Sequence, residues 1–412
     1  MTTKLRILTG AVALATVVSF AGPASALSQA WTWCVNKEKA SPDLQINGCT
    51  SVIQAGKETK NNLAVAFNNR GNGYRNSGDN DRALADYTES IRLNPKLTYP
   101  YNGRGNVYRD KKEYDRAIAD YSMAIRLNPK YALPYNGRGN VFNSKKEYDR
   151  AIADYSLSIK LDPKYDAPYN GRGNAYYYKK DYDRALADYN EAIRLNPKNS
   201  LAFNGRGNVY LDKKELDRAT ADYNESIRLS PKEALAYNGL GNVYFAKADY
   251  NSAIGEYNEA TRVDPHYIFA HTNRGLAYER LKDFAKAGAS YAEAARLEPT
   301  NAGYWNSACW DRALADQLDL ALKDCNESLR LRPNDSNTMD SRGLVYLKLG
   351  DLDKAIAEYE AVMKLNPKAS TSLYSLGVAK NKKEPGSGEA DLAAAKALNA
   401  KVDEIFTGYG VK

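Results

Sequence analysis

Nine prolines set the metre of this chain. Pro95, Pro129, Pro163, Pro197, Pro231, Pro265, Pro299, Pro333 and Pro367 follow one another at one constant interval. A period of about 34 residues marks one supersecondary unit stacked many times, each copy touching mainly its neighbours. A globular chain of 412 residues would divide into two or three domains. The repeat replaces that expectation with one elongated domain.

The clearest copy is Thr98 to Tyr131. Tyr101 to Lys111 reads as a short helix with Tyr101, Gly105 and Tyr108 on one face. Tyr114 to Leu127 reads as a second, with Tyr114, Ala117, Ile118, Tyr121, Ala124 and Ile125 at helical spacing. Asn128-Pro129 ends it, because proline disfavours helical geometry in the residue before it. Pro100 sits where the first helix begins, a place that tolerates a missing N–H. Each copy is therefore a helical hairpin that buries its two apolar stripes only when stacked.

Counted from Thr98 as position 1, the copy carries Tyr101 at 4, Gly105 at 8, Tyr108 at 11, Ala117 at 20, Tyr121 at 24, Ala124 at 27 and Pro129 at 32. The set recurs at Tyr169, Gly173, Tyr176, Ala185, Tyr189, Ala192 and Pro197. The pattern resembles the tetratricopeptide repeat. That resemblance implies an all-α fold, a right-handed α-solenoid superhelix of antiparallel helix hairpins. Glycine at position 8 costs about 1 kcal/mol of helix propensity, and lets the aromatic of the second helix pack close to the first.

The amino terminus reads as a secretory signal. Lys4 and Arg6 precede an apolar run, Ile7 to Ala21, and Ala24-Ser25-Ala26 forms an A-x-A cleavage site after Ala26. The run is short for a membrane span, and an uncleaved anchor is the alternative. No cysteine stands directly after the cleavage site, and no later stretch is apolar enough to span a bilayer. The expected locale is the periplasm or the exterior. Residues 27–63 read as a degenerate capping repeat, 64–369 as nine repeats of the regular length, and 370–412 as a degenerate repeat and cap. The formal charge of +8 falls to about +6 once the signal is removed, which permits an acidic partner without demanding one.

Four cysteines lie beyond the signal. Cys309 and Cys325 occupy positions 8 and 24 of their repeat, the slots that touch in the others. Cys34 and Cys49 repeat the theme 15 residues apart. In an exported protein this predicts the disulfides Cys34–Cys49 and Cys309–Cys325, with buried free thiols as the alternative. Each would close a short loop, worth on the order of 3 kcal/mol in the chain-entropy account. Metal binding is not expected: there is no C-x-x-C and only two histidines, His266 and His271.

Asparagine fills positions 5 and 9 in six successive repeats: Asn68 and Asn72, Asn102 and Asn106, Asn136 and Asn140, Asn170 and Asn174, Asn204 and Asn208, Asn238 and Asn242. Four residues apart, each pair shares a helix face. The resemblance places these positions on the concave groove, where they would form a ladder. An amide both donates and accepts, so a ladder can hold a peptide backbone without reading its sequence. The same chemistry suits sugar hydroxyls. The alternatives are hydrogen bonding between neighbouring helices, or simple duplication.

After Asn242 the groove positions turn more apolar, and Trp310 is a candidate exposed aromatic, with filling a gap left by its altered repeat as the alternative. Gly103, Gly137, Gly171, Gly205 and Gly239 give a G-x-G that follows no strand, which excludes a phosphate loop. They permit either close helix packing or approach of a ligand backbone. Arg104 and Asp120 are placed to pair between helices, and the lysine rows read as a solvated rim. No catalytic constellation is present, and His271 fills an aromatic core slot. The sequence thus predicts a non-enzymatic scaffold without cofactors that binds a protein or peptide in its groove. An accessory that guides an envelope polysaccharide is the second reading. Neither a nucleic-acid partner nor a membrane span in the mature chain is expected.

Overall fold

The computed structural model describes residues 23–36 and 40–411. The predicted signal falls almost wholly outside them. The described chain begins in helix α1 (Pro23–Cys34), which runs through the predicted cleavage site. All regular elements among the described residues are helical.

Residues up to Asp181 form one compact unit and those from Tyr182 a second. The first holds α1, α2 (Pro42–Ala55), α3 (Lys60–Asn76), α4 (Asn80–Leu93), α5 (Thr98–Asp110), α6 (Tyr114–Leu127), α7 (Ala132–Ser144), α8 (Tyr148–Leu161) and α9 (Asp166–Tyr178). The second begins with α10 (Tyr182–Leu195), α11 (Ser200–Asp212), α12 (Leu216–Leu229), α13 (Ala234–Ala246), α14 (Tyr250–Val263), α15 (Ile268–Arg280) and α16 (Phe284–Leu297). It ends with α17 (Ala302–Leu314), α18 (Leu318–Leu331), α19 (Ser336–Leu349), α20 (Leu352–Leu365), α21 (Ser370–Lys383), α22 (Glu389–Leu398) and α23 (Val402–Thr407). Within each unit consecutive helices pack as hairpins, the arrangement of an α-solenoid.

The second helix of the Thr98 repeat runs over Tyr114–Leu127, as its spacing predicts. The first starts three residues earlier than Tyr101, at Thr98. Pro100 is therefore its third residue. The position still suits proline, because first-turn N–H groups have no carbonyl to bond. The first helix closes with a Schellman motif: Lys112 N–H bonds Arg109 O at 2.9 Å and Glu113 N–H bonds Tyr108 O at 2.8 Å. This puts Lys112 at φ 61°, and Lys146, Lys180 and Lys214 match it, where Gly78 and Gly350 stand in other repeats. Left-handed backbone costs a side-chain-bearing residue roughly 1 kcal/mol or more. One lysine of each Lys-Lys pair thus sits in a strained turn, and the solvated-rim reading missed that strain.

Tyrosine at position 24 is the core of each layer. Tyr87, Tyr121, Tyr155 and Tyr223 are fully buried. A Cβ on Gly105 would stand 2.9 Å from the Tyr121 ring, and one on Gly137 of the next repeat 2.6 Å. The ring is gripped between two glycines, one from its own repeat and one from the following repeat. The G-x-G is a packing device, and Gly103 also lines the groove beside Asn102 and Asn106.

Arginine at position 7 ties three helices together. Arg104 donates from Nε and Nη2 to Asp120 at 2.8 and 2.9 Å, and from Nη1 to Thr88 of the preceding repeat at 3.2 Å. Arg138 repeats this with Asp154 and Ser122, and Arg206 with Asp222 and Asn190. Both sulfur pairs lie at disulfide-bonding distance, with Cα–Cα separations of 4.5 Å for Cys34–Cys49 and 5.3 Å for Cys309–Cys325. The second replaces a glycine–tyrosine contact of the regular repeats by a covalent bridge.

Candidate functional site

Positions 5, 9 and 12 of the first helices fall one turn apart on a single face. In the first unit this face lines a groove with a volume of about 530 Å³. Asn68, Asn72 and Arg75 come from α3, and Tyr99, Asn102 and Asn106 from α5. Tyr131 and Leu133 close the far side.

The position-9 amides are oriented from below. Tyr87 Oη donates to Asn72 Oδ1 at 2.8 Å, Tyr121 Oη to Asn106 Oδ1 at 2.8 Å, and Tyr155 Oη to Asn140 Oδ1 at 2.7 Å. In the second unit Tyr223 and Tyr257 hold Asn208 and Asn242 in the same way. Burial holds the Tyr87, Tyr121 and Tyr155 phenols well above the usual tyrosine range, so they stay protonated donors. The NH2 groups of Asn72 and of Asn106 have no acceptor among the described residues. Position 9 therefore offers an unpaired donor at Asn72 and Asn106, while a carbonyl bonded by tyrosine keeps a second lone pair, as Asn242 Oδ1 shows by also accepting from Asn273.

Position 5 behaves differently. Asn68, Asn102, Asn136 and Asn238 are buried, and Asn170 and Asn204 half-buried. The Oδ1 atoms of Asn68, Asn102, Asn136, Asn170 and Asn204 are enclosed and accept no hydrogen bond. Asn174 lies half-buried on α9. The ladder's last rung is satisfied internally: Asn273 Nδ2 donates to Asn238 Oδ1 at 3.0 Å and to Asn242 Oδ1 at 3.1 Å. At that rung the interhelical alternative holds.

Arg75 completes the groove, and repeat-pattern reasoning did not single it out. Its Nε is enclosed without a partner, and its ion pair, Nη2 to Asp110 Oδ2, is long at 3.7 Å. Asp110 is already engaged by Arg109 at 2.7 Å. Tyr99, 54% exposed, stands edge-on to Tyr131 with ring centroids 5.4 Å apart, forming an aromatic wall. The available signal was position 12 itself, three residues beyond the asparagine on the same face.

Other candidates resolve into structure. Trp310 is covered, its ring edge-on to Tyr409 at 5.0 Å. It is no exposed platform, because the chain's own end lies over it. His271 is buried, with Nε2 3.0 Å from Pro265 O. Tyr101 and Tyr135 donate to the corresponding carbonyls of Pro95 and Pro129. One lysine row is paired between repeats: Lys111 with Asp81, Lys145 with Asp115, and Lys247 with Asp217, at 2.8–2.9 Å. No helix among the described residues is long and apolar enough to cross a membrane.

Family models described as tetratricopeptide repeats match residues 64–97, 105–145, 139–179, 170–234, 241–282, 268–301 and 343–383. No curated protein is similar enough to match. Among solved structures, a tetratricopeptide repeat protein from Parabacteroides merdae is 18% identical, covering 62% of this chain and 99% of its own, with a TM-score of 0.50. YrrB, described as a TPR protein with an unusual peptide-binding site, is 23% identical over 45% of this chain and 95% of its own, with a TM-score of 0.35. PilF of Pseudomonas aeruginosa is 20% identical over 50% and 94%, with a TM-score of 0.43.

Proposed function

We propose that this chain, which belongs to the tetratricopeptide-repeat family and is a protein–protein interaction scaffold, works as an exported, periplasmic or secreted scaffold that holds an extended, carboxylate-bearing peptide in the groove of its amino-terminal repeats. Two pairs of cysteines at disulfide distance favour an oxidising compartment.

One observation carries the ligand class. Asn72 and Asn106 accept from tyrosine and have NH2 groups without an acceptor among the described residues, and Arg75 beside them has an enclosed Nε without a partner. A groove with converging unspent donors calls for acceptors. Peptide carbonyls supply them along the ladder, and a carboxylate supplies two to a guanidinium. Tyr99 gives a flat apolar wall for a neighbouring side chain.

The test uses a variant that changes one hydrogen-bonding sense. Asn106→Asp keeps an acceptor for Tyr121 and removes the donor from the groove. Peptides selected by display on the wild-type chain are expected to carry an acidic group. They are expected to bind Asn106→Asp and Arg75→Gln at least tenfold more weakly by fluorescence anisotropy, with melting temperatures little changed. No enrichment by the wild type, or equal affinity for both variants, overturns the reading.

A further inference from the structure

The segment after α22 does not continue the stack. Helix α23 packs mainly on α21, and the chain then runs back along the first helices of the last repeats. Phe406 is buried against Tyr374, with ring centroids 5.1 Å apart, and against Tyr409 at 5.6 Å. Tyr409 reaches Trp310, two repeats upstream, and Val411 packs on the same apolar clusters. Tyr374 occupies position 5 of its repeat, and Trp310 and Leu344 occupy position 9 of theirs. These are the positions that carry Asn102 and Asn106 in the groove of the first unit. The tail lies where a groove ligand would lie.

We propose that the inner face of the last repeats is a second peptide site, distinct in chemistry from the asparagine groove. It takes a peptide segment bearing two aromatic side chains three residues apart and an aliphatic one just beyond, and the segment Val402–Val411 is its resident occupant. A partner with such a segment binds by exchanging with the tail.

Three features set an occupant apart from an end cap. A cap shields the last helix of a solenoid from water. Here Leu398, at the end of α22, stays 49% exposed, and Ile405 of the tail is itself 42% exposed. The tail touches α22 but leaves that helix's end open to water. Second, the backbone N–H groups of Gly408, Tyr409 and Gly410 bond within the segment, to Ile405, Phe406 and Thr407, and that of Ile405 bonds Lys401 just before it. Side chains hold the tail in the groove. Third, a concave surface adjoins the tail: Leu347, Lys348, Leu352 and Lys382 line a groove of about 540 Å³ together with Gly410 and Val411.

A tethered segment competes at a local concentration on the order of millimolar. The wild-type site is therefore mostly filled, and weakening the tail unmasks it. The probe is a fluorescein-labelled peptide of residues 400–412, AKVDEIFTGYGVK. It is titrated against the full chain and against full-length Phe406→Ala/Tyr409→Ala. The variant is expected to bind the peptide at least tenfold more tightly than the wild type, and adding Trp310→Ala is expected to abolish binding. Equal affinities for wild type and variant, or binding that survives Trp310→Ala, overturn the proposal. Should the variant unfold, the wild-type chain answers the same question. Excess unlabelled peptide is expected to speed amide exchange in α23, and a scrambled peptide is not. No acceleration by the authentic peptide overturns the proposal.

Discussion

Removing the Arg138 side chain isolates what the arginine staples contribute. Arg138 makes two charge-assisted bonds to Asp154, at 2.7 and 2.8 Å, and one bond to Ser122, at 2.9 Å. The Asp154 side chain is only 6% exposed. Arg138→Ala leaves a carboxylate enclosed without a counter-charge, which typically costs about 3–5 kcal/mol. An enclosed carboxylate can escape that cost by taking up a proton, at about 1.4 kcal/mol for each pH unit above the ordinary carboxylate range. The loss is therefore capped at about 5 kcal/mol at pH 7.5. At pH 5 the cap falls to about 1.5 kcal/mol. A repeat stack need not unfold in two states, so the assay is amide exchange resolved to α7 and α8 at both pH values. A loss at pH 7.5 under about 1 kcal/mol, or one equal at both pH values, refutes the argument. Arg138→Met/Asp154→Leu should recover most of the loss, because an apolar pair of similar volume often replaces a buried ion pair at little cost.

The turn lysines should prefer to be glycine. Lys146→Gly relieves a φ of 62° and is expected to raise stability by about 0.5–1 kcal/mol in urea titrations. The last repeats should be less stable in alkali than in mild acid. Burial, with Glu279 nearby, pushes Asp311 up to about 8, and burial pushes Asp340 up to about 6. A raised carboxyl pKa contributes stability that is full below the ordinary carboxylate range and is lost as pH rises through the folded value. Melting should therefore fall between pH 5 and pH 8.5, and Asp311→Asn should flatten that slope; an unchanged slope counts against the assignment. Reduction by dithiothreitol should loosen each bridged hairpin by about 3 kcal/mol from loop closure, seen as faster amide exchange in α1–α2 and α17–α18. Exchange indifferent to reduction would show that packing alone holds them.

The parts of the fold that repeat were legible in the sequence. Tyr121 against Gly105 could be read because the same pair recurs in repeat after repeat and each copy supports the others. Arg104 with Asp120 was legible for the same reason. Features that break the repeat were not. Position 12 varies from Arg75 to Phe245 to Leu347, so no pattern marked it, and only the fold shows Arg75 beside the asparagines. The tyrosine bonds that fix the amides join two helices at the same offset each time. They depend on hydroxyl position, which spacing does not supply. Lys112 looked like surface because lysine ordinarily is, and its backbone angle follows from the Schellman closure. The tail's course was hidden because helix periodicity gives a stripe and not its partner. Trp310 consequently stayed open between an exposed aromatic and a gap filler.

The central claim is that the asparagine face of the first repeats grips a protein partner. Photo-crosslinking in the intact cell tests it most directly, with a photoreactive residue in place of Asn106 and, as control, in place of the exposed Arg116 on α6. The account predicts a discrete protein adduct from position 106, absent from position 116 and lost with Arg75→Gln. No adduct from the groove, a glycosidase-sensitive smear in its place, or the same adduct from both positions would contradict it.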